Sequence, residues 1–284
     1  MVVSGETRLA ALIGAPARHS LSPAIHNAAF ASTGVDWVFL AFEVGPGHAG
    51  AALDAMRVLP IEGLSVTMPH KTDVAHLVDD LTDEAHRLDA VNCVVRDGQR
   101  LVGHNTDGMG FLASLVEGAD GFEPRGRRCV VVGAGGAARA VIAALAGAGA
   151  GEVIVTNRTP ERAEVAARLA GDVGRVGRVE DLVRDLSAAD LVVHATSVGM
   201  DGQGLALGPE AVAAIAAHGV VVDLIYSPRT TPLLAAARQR GLTTVGGLGM
   251  LVHQAAAAFT LWTGRPAPIE VMAQAAEAGL GASR

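Results

Sequence analysis

An apolar stretch at residues 129–132 runs directly into a glycine-rich turn and then into an alanine-rich stretch that ends near Ala148. The apolar stretch reads Cys-Val-Val-Val, and the turn reads Gly-Ala-Gly-Gly-Ala-Ala from Gly133 to Ala138. Consecutive apolar residues between turn signals are typical of a strand buried on both faces, as in a parallel sheet. The pattern therefore predicts a strand, a tight turn and a helix, the repeating unit of an α/β fold.

The same alternation of short apolar runs with alanine- and leucine-rich runs extends along the rest of the 284 residues. Strands are predicted at residues 8–14, 37–43, 63–67, 90–96, 99–103, 129–132, 153–156, 191–195 and 220–224. Helices are predicted at residues 22–33, 48–57, 160–169, 232–240, 250–263 and 269–278, and from the glycine turn to about residue 148. This order favours an α/β fold with largely parallel sheets, and Asp97-Gly98 predicts a hairpin.

Composition excludes several classes of function. Half of the residues are hydrophobic and only 3% are aromatic, so a large aliphatic core is available. A formal net charge of −7 is unsuited to a nucleic-acid partner. Cys93 and Cys129 form no Cys-x-x-Cys pair and the ten histidines show no ligand spacing, so no metal site is expected. No signal-peptide pattern precedes Gly14 and no apolar stretch is long enough for a membrane span, which predicts a cytoplasmic protein.

The strand, the turn Gly133-x-Gly135-x-x-Ala138 and the helix together form a dinucleotide-binding pattern. Gly133 allows the tight turn, Gly135 lets a pyrophosphate approach the backbone, and Ala138 keeps the helix close to the sheet. The free N–H groups and the positive dipole end of the helix then face the phosphates. A glycine-rich turn without a ligand is the alternative, and the flanking strand and helix favour a binding site.

The end of the next predicted strand indicates which dinucleotide binds. An NAD site carries a carboxylate there, which accepts a hydrogen bond from the ribose 2′-hydroxyl. Here the strand is followed by Asn157-Arg158-Thr159, with Arg162 close behind, and no carboxylate stands at the strand end. Arg158 can pair with a 2′-phosphate, and Thr159 and Arg162 can donate further hydrogen bonds. These residues predict NADP(H), and a solvated Arg158 is the alternative.

Three loops in the first part of the chain carry polar residues suited to a small-molecule substrate. Ser20 and Ser22 stand at a strand–helix junction, where both hydroxyls can donate to a carboxylate, although Ser22 could instead cap the helix. Lys71 follows a buried strand and a proline turn, and Asp107 opens a predicted helix. A solvated lysine and a helix-capping aspartate are the simpler interpretations of these two residues.

These residues lie within motifs that together resemble those of the shikimate dehydrogenase family. In the first half the motifs are Gly14-x-Pro16, Ser20-Leu21-Ser22-Pro23 with His26-Asn27, Val66-Thr67-x-Pro69-x-Lys71, Ala90-Val91-Asn92 and Asn105-Thr106-Asp107-Gly108. In the second half they are Gly133 to Arg139, Asn157-Arg158-Thr159, Ala195-Thr196-Ser197-x-Gly199-Met200, Asp223-Leu224-Ile225-Tyr226-x-Pro228 with Thr231-Pro232-Leu233, and Gly247-Leu248-Gly249-Met250-Leu251 with Gln254. The resemblance extends from about Ala11 to Trp262 in the family's order, which makes it more specific than any single motif.

The resemblance implies an NADP-dependent alcohol dehydrogenase that reversibly reduces 3-dehydroshikimate to shikimate. This reaction belongs to the shikimate pathway of chorismate and aromatic amino acid biosynthesis. The implied architecture is an N-terminal α/β substrate domain at residues 1–106 plus 247–284 and a Rossmann-type NADP-binding domain at residues 107–246. The C-terminal helices return to the first domain, and domain closure around the cleft excludes water from the reaction.

The resemblance also implies roles for individual residues. Hydride addition to a ketone leaves an alkoxide that needs a proton and a nearby cation; Lys71 can supply both, and Asp107 can orient it, which makes these two the catalytic pair. The implied substrate-binding residues are Ser20, Ser22, Thr67, Lys71, Asn92, Asp107, Tyr226 and Gln254. The implied cofactor-binding residues are Gly133, Ala134, Gly135, Gly136, Ala137, Asn157, Arg158, Thr159, Arg162, Leu224, Gly247 and Asp83.

Several positions depart from the family pattern. Ser65 and His194 stand where Asn is frequent, and Asp89 and Cys93 stand where Gly and Thr are common. These departures leave open a quinate/shikimate or aminoshikimate dehydrogenase with a broader substrate range or NAD use. A non-catalytic NADP(H)-binding sensor is the alternative of another class, and the intact Lys71 and Asp107 argue against it. A monomer and a homodimer are equally compatible with the sequence.

Overall fold

The computed structural model describes residues 3–204 and 206–282. These residues form two compact units, each built around its own sheet. The first unit comprises the residues up to Thr106 together with those from Val252 onward, and the second runs from Asp107 to Leu251. The prediction of an α/β fold with two domains is confirmed. The second division lies at 251/252, whereas the sequence-based boundary lies at 246/247.

The first unit is built on a six-stranded mixed sheet with the order β2-β1-β3-β5-β6-β4. Its strands are β1 (Arg8–Gly14), β2 (Trp37–Glu43), β3 (Ile61–Val66), β4 (Asp80–Leu81), β5 (Cys93–Asp97) and β6 (Arg100–His104). Its first helices are α1 (Ser22–Thr33), α2 (Ala49–Val58), α3 (Lys71–Ala75) and α4 (Asp83–Leu88). β1 pairs in parallel with β2 and β3, whereas β5 runs antiparallel to β3 and β6. The expectation of largely parallel sheets therefore holds only for part of this sheet.

The second unit is built on a six-stranded sheet in which every pairing is parallel, with the order β12-β11-β10-β7-β8-β9. Its strands are β7 (Arg128–Val132), β8 (Glu152–Thr156), β9 (Gly174–Val176), β10 (Leu191–His194), β11 (Val220–Asp223) and β12 (Thr243–Gly246). Its helices are α5 (Asp107–Gly118), α6 (Gly136–Gly147), α7 (Pro160–Ala167), α8 (Leu182–Ser187), α9 (Pro209–Ala214) and α10 (Pro232–Gln239), with short 3-10 helices at Arg168–Val173 and Val179–Asp181. This strand order is that of the Rossmann fold.

The apolar runs of the second sheet are explained by burial on both faces. Successive side chains of a strand point to opposite faces. Cys129 and Val131 therefore join the core on the α5–α6 side, which includes Phe111, while Val130 joins the core on the opposite side with Leu234 of α10. Because neither face meets water, the strand needs no polar alternation.

The two C-terminal helices, α11 (Leu248–Thr263) and α12 (Ile269–Ala282), complete the first unit from Val252 onward. The ring of Phe259 lies 5.6 Å from that of Phe30 on α1, and α12 also packs against α1. Trp262 Nε1 donates a hydrogen bond of 3.1 Å to the carbonyl of Val94 in β5. The predicted return of these helices to the first domain is confirmed. In the part of the chain that the structure describes, no helix has the length and apolar composition needed to cross a membrane.

The observed elements differ from the predicted ones in identifiable ways. The hairpin begins at Cys93 rather than at residue 90, because the Ala90 N–H bonds to α4 and the Val91 N–H bonds to the carbonyl of Lys71. The N-cap of α1 is Leu21, so the interpretation of Ser22 as a cap is wrong: Ser22 is the first helical residue. The elements that the sequence did not predict are the strands β4, β9 and β12, the helices α3, α4, α8 and α9, and the 3-10 helix at Val179–Asp181.

His26 of α1 lies inside the aromatic cluster of the first unit. Its ring stacks on Phe39 with centroids 4.4 Å apart, and the ring of Trp262 lies 5.1 Å away. The residue is fully buried, and neither ring nitrogen has a hydrogen-bond partner among the described residues. Burial lowers the pKa of His26 from 6.5 to about 3, because an imidazolium there would lose its hydration. The folded protein therefore holds His26 neutral at ordinary pH.

We expect His26 to make folding pH-dependent. Between pH 6.5 and about 3 the unfolded chain binds a proton at His26 that the folded chain excludes, so the free energy of unfolding falls as the pH drops below 6.5. The variant His26→Leu cannot take up this proton, and from about pH 7.5 to about pH 5 it should lose about 2 kcal/mol less stability than the wild type. Urea unfolding at both pH values measures the difference. His19→Asn, at an exposed histidine of the same unit, serves as the control; equal losses in His26→Leu and wild type would contradict the prediction.

Candidate active site

The carboxyl ends of all six parallel strands of the second sheet lie along one edge. Because ligands of open α/β sheets bind at this edge, the loops that leave it are the first place to search for a site. Four of these loops carry predicted cofactor residues: residues 133–138 after β7, 157–162 after β8, 224–226 after β11, and Gly247 after β12. The structure therefore gathers at one edge all of the predicted cofactor residues except Asp83.

The glycine turn after β7 has the geometry that a bound pyrophosphate requires. Gly133 has a φ of 127°, and a Cβ atom there would lie 2.6 Å from the carbonyl oxygen of Ala195, so only glycine fits. A Cβ at Gly135 would meet no protein atom within 4 Å. The protein itself therefore does not require glycine at 135; the bare, exposed backbone before α6 suits the close approach of a ligand anion. Ala138 is fully buried, which permits tight packing of α6 on the sheet.

The loop after β8 presents basic side chains. Asn157 Nδ2 donates a hydrogen bond of 3.0 Å to the carbonyl of Thr159 and so shapes the turn before α7. Arg158 and Arg162 are exposed. The first acidic residue after the strand is Glu161, which lies in the first turn of α7 and not at the strand end. The local charge therefore favours a phosphate over a 2′-hydroxyl.

The loops after β11 and β12 are in direct backbone contact. The Gly247 N–H donates to the carbonyl of Ile225 at 3.2 Å, and a side-chain carbon at Gly247 would overlap the backbone of Leu224. Glycine is therefore required at this position by the protein itself. Tyr226, in the loop after β11, is half-buried, and burial raises the pKa of its hydroxyl. Tyr226 thus keeps a hydroxyl that can both donate and accept.

In the first unit a second edge gathers the predicted substrate residues. β1, β3 and β6 end at this edge, whereas β5 begins there because it runs antiparallel to its neighbours. Ser20 and Ser22 follow β1, Thr67 and Lys71 follow β3, and Asn92 precedes β5. The mixed sheet therefore brings residues from three separate loops to one side of the unit.

A buried hydrogen-bond network joins Asn92 to α11. Asn92 Nδ2 donates to Thr106 Oγ1 at 3.0 Å and lies 3.5 Å from Gln254 Oε1. The Thr106 N–H donates to Asn92 Oδ1 at 2.8 Å, and the Thr106 hydroxyl donates to the carbonyl of Gln254 at 3.1 Å. These bonds fix the amide of Asn92, and the 3.5 Å contact places the Gln254 amide beside it. Both amides are suited to recognise substrate hydroxyls. The sequence motif contained Thr106, but no role was predicted for it; its position between the strand end and Asp107 was the available signal.

Ser20 and Ser22 lie side by side at the start of α1. The Ser20 and Ser22 hydroxyl oxygens are 3.2 Å apart, and the Ser22 N–H donates to Ser20 Oγ at 3.2 Å. Ser22 is almost fully buried and Ser20 is half-buried. Two hydroxyls and the N-terminus of a twelve-residue helix make this a suitable place for a carboxylate.

The backbone around Lys71 is held on both sides. His70 is fully buried, and its Nε2 donates to the carbonyl of Val44 at 2.7 Å. The carbonyl of Lys71 accepts the N–H of Val91 at 2.9 Å, and Lys71 is the first residue of α3. Lys71 is also the only lysine in the sequence, in which the other 21 of the 22 Lys and Arg residues are arginine.

The remaining predicted residues occupy different places. Asp107 is the first residue of α5 in the second unit and is 5% exposed. Asp83 is an exposed residue at the start of α4 in the first unit, whereas the other predicted cofactor residues belong to the second unit. Its role at the cofactor stays a prediction.

A buried pair that the sequence left without a role lies at the edge of the second sheet. His194 Nδ1 is 2.9 Å from Asp223 Oδ1, and both side chains are almost completely shielded from solvent. Each residue ends an apolar strand with a polar side chain, and this was the signal in the sequence. No group of three or more His, Cys, Asp or Glu side chains among the described residues is arranged to hold a metal ion.

Comparison with family models covers most of the chain. Residues 12–94 match the model described as "Shikimate dehydrogenase substrate binding domain", and residues 119–226 match "Shikimate / quinate 5-dehydrogenase". Residues 247–277 match "Shikimate 5'-dehydrogenase C-terminal domain". A protein of Moorella thermoacetica named "Shikimate dehydrogenase (NADP(+))" is 47% identical over 99% of this chain and 96% of its own length.

The chain belongs to the shikimate dehydrogenase family. Among solved structures, shikimate 5-dehydrogenase from Thermus thermophilus, in complex with NADP(H) and shikimate, is 37% identical, with a TM-score of 0.87 over 96% of this chain and 100% of that one. Quinate dehydrogenase from Corynebacterium glutamicum, in complex with NAD, is 32% identical, with a TM-score of 0.88 over 96% of this chain and 99% of that one. The resemblance inferred from the motifs is thereby confirmed at the level of the family.

Proposed function

We propose that this protein catalyses the reversible, NADPH-dependent reduction of 3-dehydroshikimate to shikimate, a step of the shikimate pathway toward aromatic amino acids. The observation that carries the proposal is the 47% identity, over nearly the whole chain, to a protein named for this NADP-dependent activity. The two free, buried cysteines are in keeping with a reducing, cytoplasmic location.

The edge of the second sheet is the proposed cofactor site. The backbone of residues 133–137 would hold the pyrophosphate, Asn157 to Arg162 the adenosine end with its 2′-phosphate, and Leu224 and Gly247 the opposite wall. The open space at Gly135 and the arginines after β8 support NADP(H). When bound, NADPH supplies a hydride for the carbonyl carbon of the substrate.

The edge of the first sheet is the proposed substrate site. The paired hydroxyls of Ser20 and Ser22 would donate to the substrate carboxylate. Thr67 and the neighbouring amides of Asn92 and Gln254 would bind the ring hydroxyls. Tyr226 is proposed as a further ligand through its protonated hydroxyl.

Lys71 is the proposed proton donor for reduction and the proton acceptor for oxidation. As the ketone becomes an alcohol, its oxygen gains negative charge and then a proton. An ammonium group meets both needs, because it is a cation and can release a proton, whereas a guanidinium cannot be deprotonated in a protein. A chain that uses arginine at its 21 other strongly basic positions has a lysine here, which supports proton transfer at Nζ. Asp107 is proposed to orient the Lys71 ammonium group and the reacting hydroxyl.

Quinate with NAD is the second candidate activity, because a quinate dehydrogenase in complex with NAD shares this fold with a TM-score of 0.88. Quinate carries an additional hydroxyl on the carbon that bears the carboxylate. The arginines and the missing carboxylate after β8 favour the first candidate.

Steady-state oxidation of shikimate and of quinate, each with NADP and with NAD, tests the proposed function. We expect the highest kcat/KM for shikimate with NADP, because the residues after β8 favour the 2′-phosphate. A higher value for quinate with NAD would replace the proposal by the second candidate. NADPH binding without turnover of either alcohol would instead indicate a sensor.

Substitutions of Lys71 test its role in proton transfer. Lys71→Ala and Lys71→Arg should both lower kcat by about 10²- to 10⁴-fold, since neither side chain can pass on a proton. The dissociation constant for NADPH, measured by fluorescence titration, should stay at the wild-type value. Thr72→Ala, at the exposed neighbour, is the local control.

A substitution of Asp107, alone and together with that of Lys71, tests whether the two residues act in the same step. If both residues serve one step, Lys71→Ala combined with Asp107→Ala should lower kcat little more than the stronger single substitution. A wild-type kcat in Lys71→Arg would show that charge alone is needed and would remove proton transfer from the role of Lys71.

Arg158→Ala tests recognition of the 2′-phosphate. Loss of a charge-assisted hydrogen bond should raise the KM for NADPH on the order of 10- to 100-fold and leave the KM for NADH nearly unchanged. Arg168→Ala, at an exposed arginine of the same unit, should change neither value. Equal losses with the two cofactors would mean that Arg158 does not recognise the phosphate.

A further inference from the structure

The ends of β10 and β11 carry a buried histidine–aspartate pair for which the proposed reaction has no use. His194 and Asp223 are the last residues of these neighbouring parallel strands and stand opposite each other in the register. Their side chains are 0% and 1% exposed. Burying two polar side chains costs free energy unless each forms hydrogen bonds. Their hydrogen-bond partners therefore show which parts of the fold the two side chains connect.

Asp223 binds three donors. Its Oδ1 accepts from His194 Nδ1 at 2.9 Å and from the Ile225 N–H at 3.1 Å, and its Oδ2 accepts from the Thr231 hydroxyl at 2.6 Å. The Thr231 hydroxyl oxygen in turn accepts the Leu234 N–H at 3.3 Å and so caps α10. Asp223 thereby connects the loop that contains Tyr226 with the start of α10.

The second ring nitrogen of His194 extends this network to another loop. His194 Nε2 lies 2.5 Å from Thr196 Oγ1, which also accepts the Val198 N–H at 3.2 Å. With Nδ1 donating to the carboxylate, the hydroxyl of Thr196 can donate to Nε2 of a neutral imidazole. One side chain thus connects the loop after β10 with the loop after β11.

The other side of Thr196 faces the glycine turn. The Cβ position of Gly133 lies 3.2 Å from Thr196 Cγ2 and 2.6 Å from the carbonyl oxygen of Ala195. Beyond Thr196 the loop exposes two apolar side chains, Val198 and Met200, to solvent. A shift of Thr196 would therefore change both the packing of the turn and the place of these apolar groups.

We propose that His194 is a positioning residue for the dinucleotide: through Thr196 it fixes the loop of residues 195–200 against the glycine turn, and through Asp223 it fixes the facing loop. This inference rests on the proposed function, because the ligand at that edge is the proposed NADP(H). His194 itself touches neither substrate nor cofactor. A phenyl ring in its place would fill similar space but could bond to neither Asp223 nor Thr196, which contact opposite nitrogens of the imidazole.

The test uses His194→Phe, Thr196→Val, Thr196→Ser and the double variant His194→Phe with Thr196→Val, with His218→Phe as the control at an exposed histidine of the same unit. The readouts are the dissociation constant of NADPH, from fluorescence titration of the full-length protein, and the KM and kcat for shikimate oxidation. We expect His194→Phe and Thr196→Val each to weaken NADPH binding on the order of 10-fold. The kcat at saturating NADP should stay within about threefold of wild type, because no catalytic group is removed.

Two comparisons separate positioning from a general loss of structure. Thr196→Ser keeps the hydroxyl and should restore binding, and the double variant should bind no more weakly than the weaker single variant, because both remove the same link. Wild-type NADPH affinity in His194→Phe or in Thr196→Val would overturn the inference. Additive losses in the double variant, or equal losses in Thr196→Ser and Thr196→Val, would also overturn it.

Measurements on the wild-type protein distinguish a failure of this inference from a failure of the proposed function. Wild-type NADPH binding without turnover of shikimate would overturn the proposed reaction, and the ratios of the dissociation constants would still decide the role of His194. A wild type that binds no NADPH would overturn both.

Discussion

The parallel pairing of its strands, together with burial of both faces of the sheet, determines how the second unit is arranged. Six strands that run in one direction release their chains at one edge, so loops far apart in sequence become neighbours without any long-range side-chain contact. Apolar residues such as Val130 and Val131 fill the two faces in alternation, and β10 and β11 each carry their one polar side chain, His194 or Asp223, as the last residue. The glycine turn, the arginines after β8 and the His194–Asp223 pair all owe their places to this arrangement.

The first unit reaches a comparable result with a mixed sheet. Because β5 runs in the opposite direction, the residue at the ligand edge is Asn92, which precedes the strand, and not a residue that follows it. The next strand, β6, brings Thr106 to the same edge, and α11 adds Gln254. In the first unit, side-chain hydrogen bonds therefore hold these residues together at the edge. In the second unit, the common direction of the strands is what brings the loops together.

Long, strongly patterned elements could be predicted from the sequence, and short ones could not. The predicted bounds of β1, α1 and β2 are those of the structure, because apolar strands and a Pro-initiated helix with a glycine after it carry clear signals. β12 has only threonine, valine and glycine, and α3 has five residues, so neither shows a period. The glycine turn was predictable as a motif, but the link from His194 to Thr196 and Asp223 was not, because it depends on which two strands are neighbours.

The return of the C-terminal helices has a consequence for synthesis on the ribosome. Phe259 and Trp262 complete the aromatic cluster around Phe30, yet they are translated after the whole of the second unit. The second unit is contiguous in sequence and can close its core while the chain is still being made. The first unit emerges earlier but lacks α11 and α12 until the end of translation, so the apolar surface that these helices cover stays exposed until then.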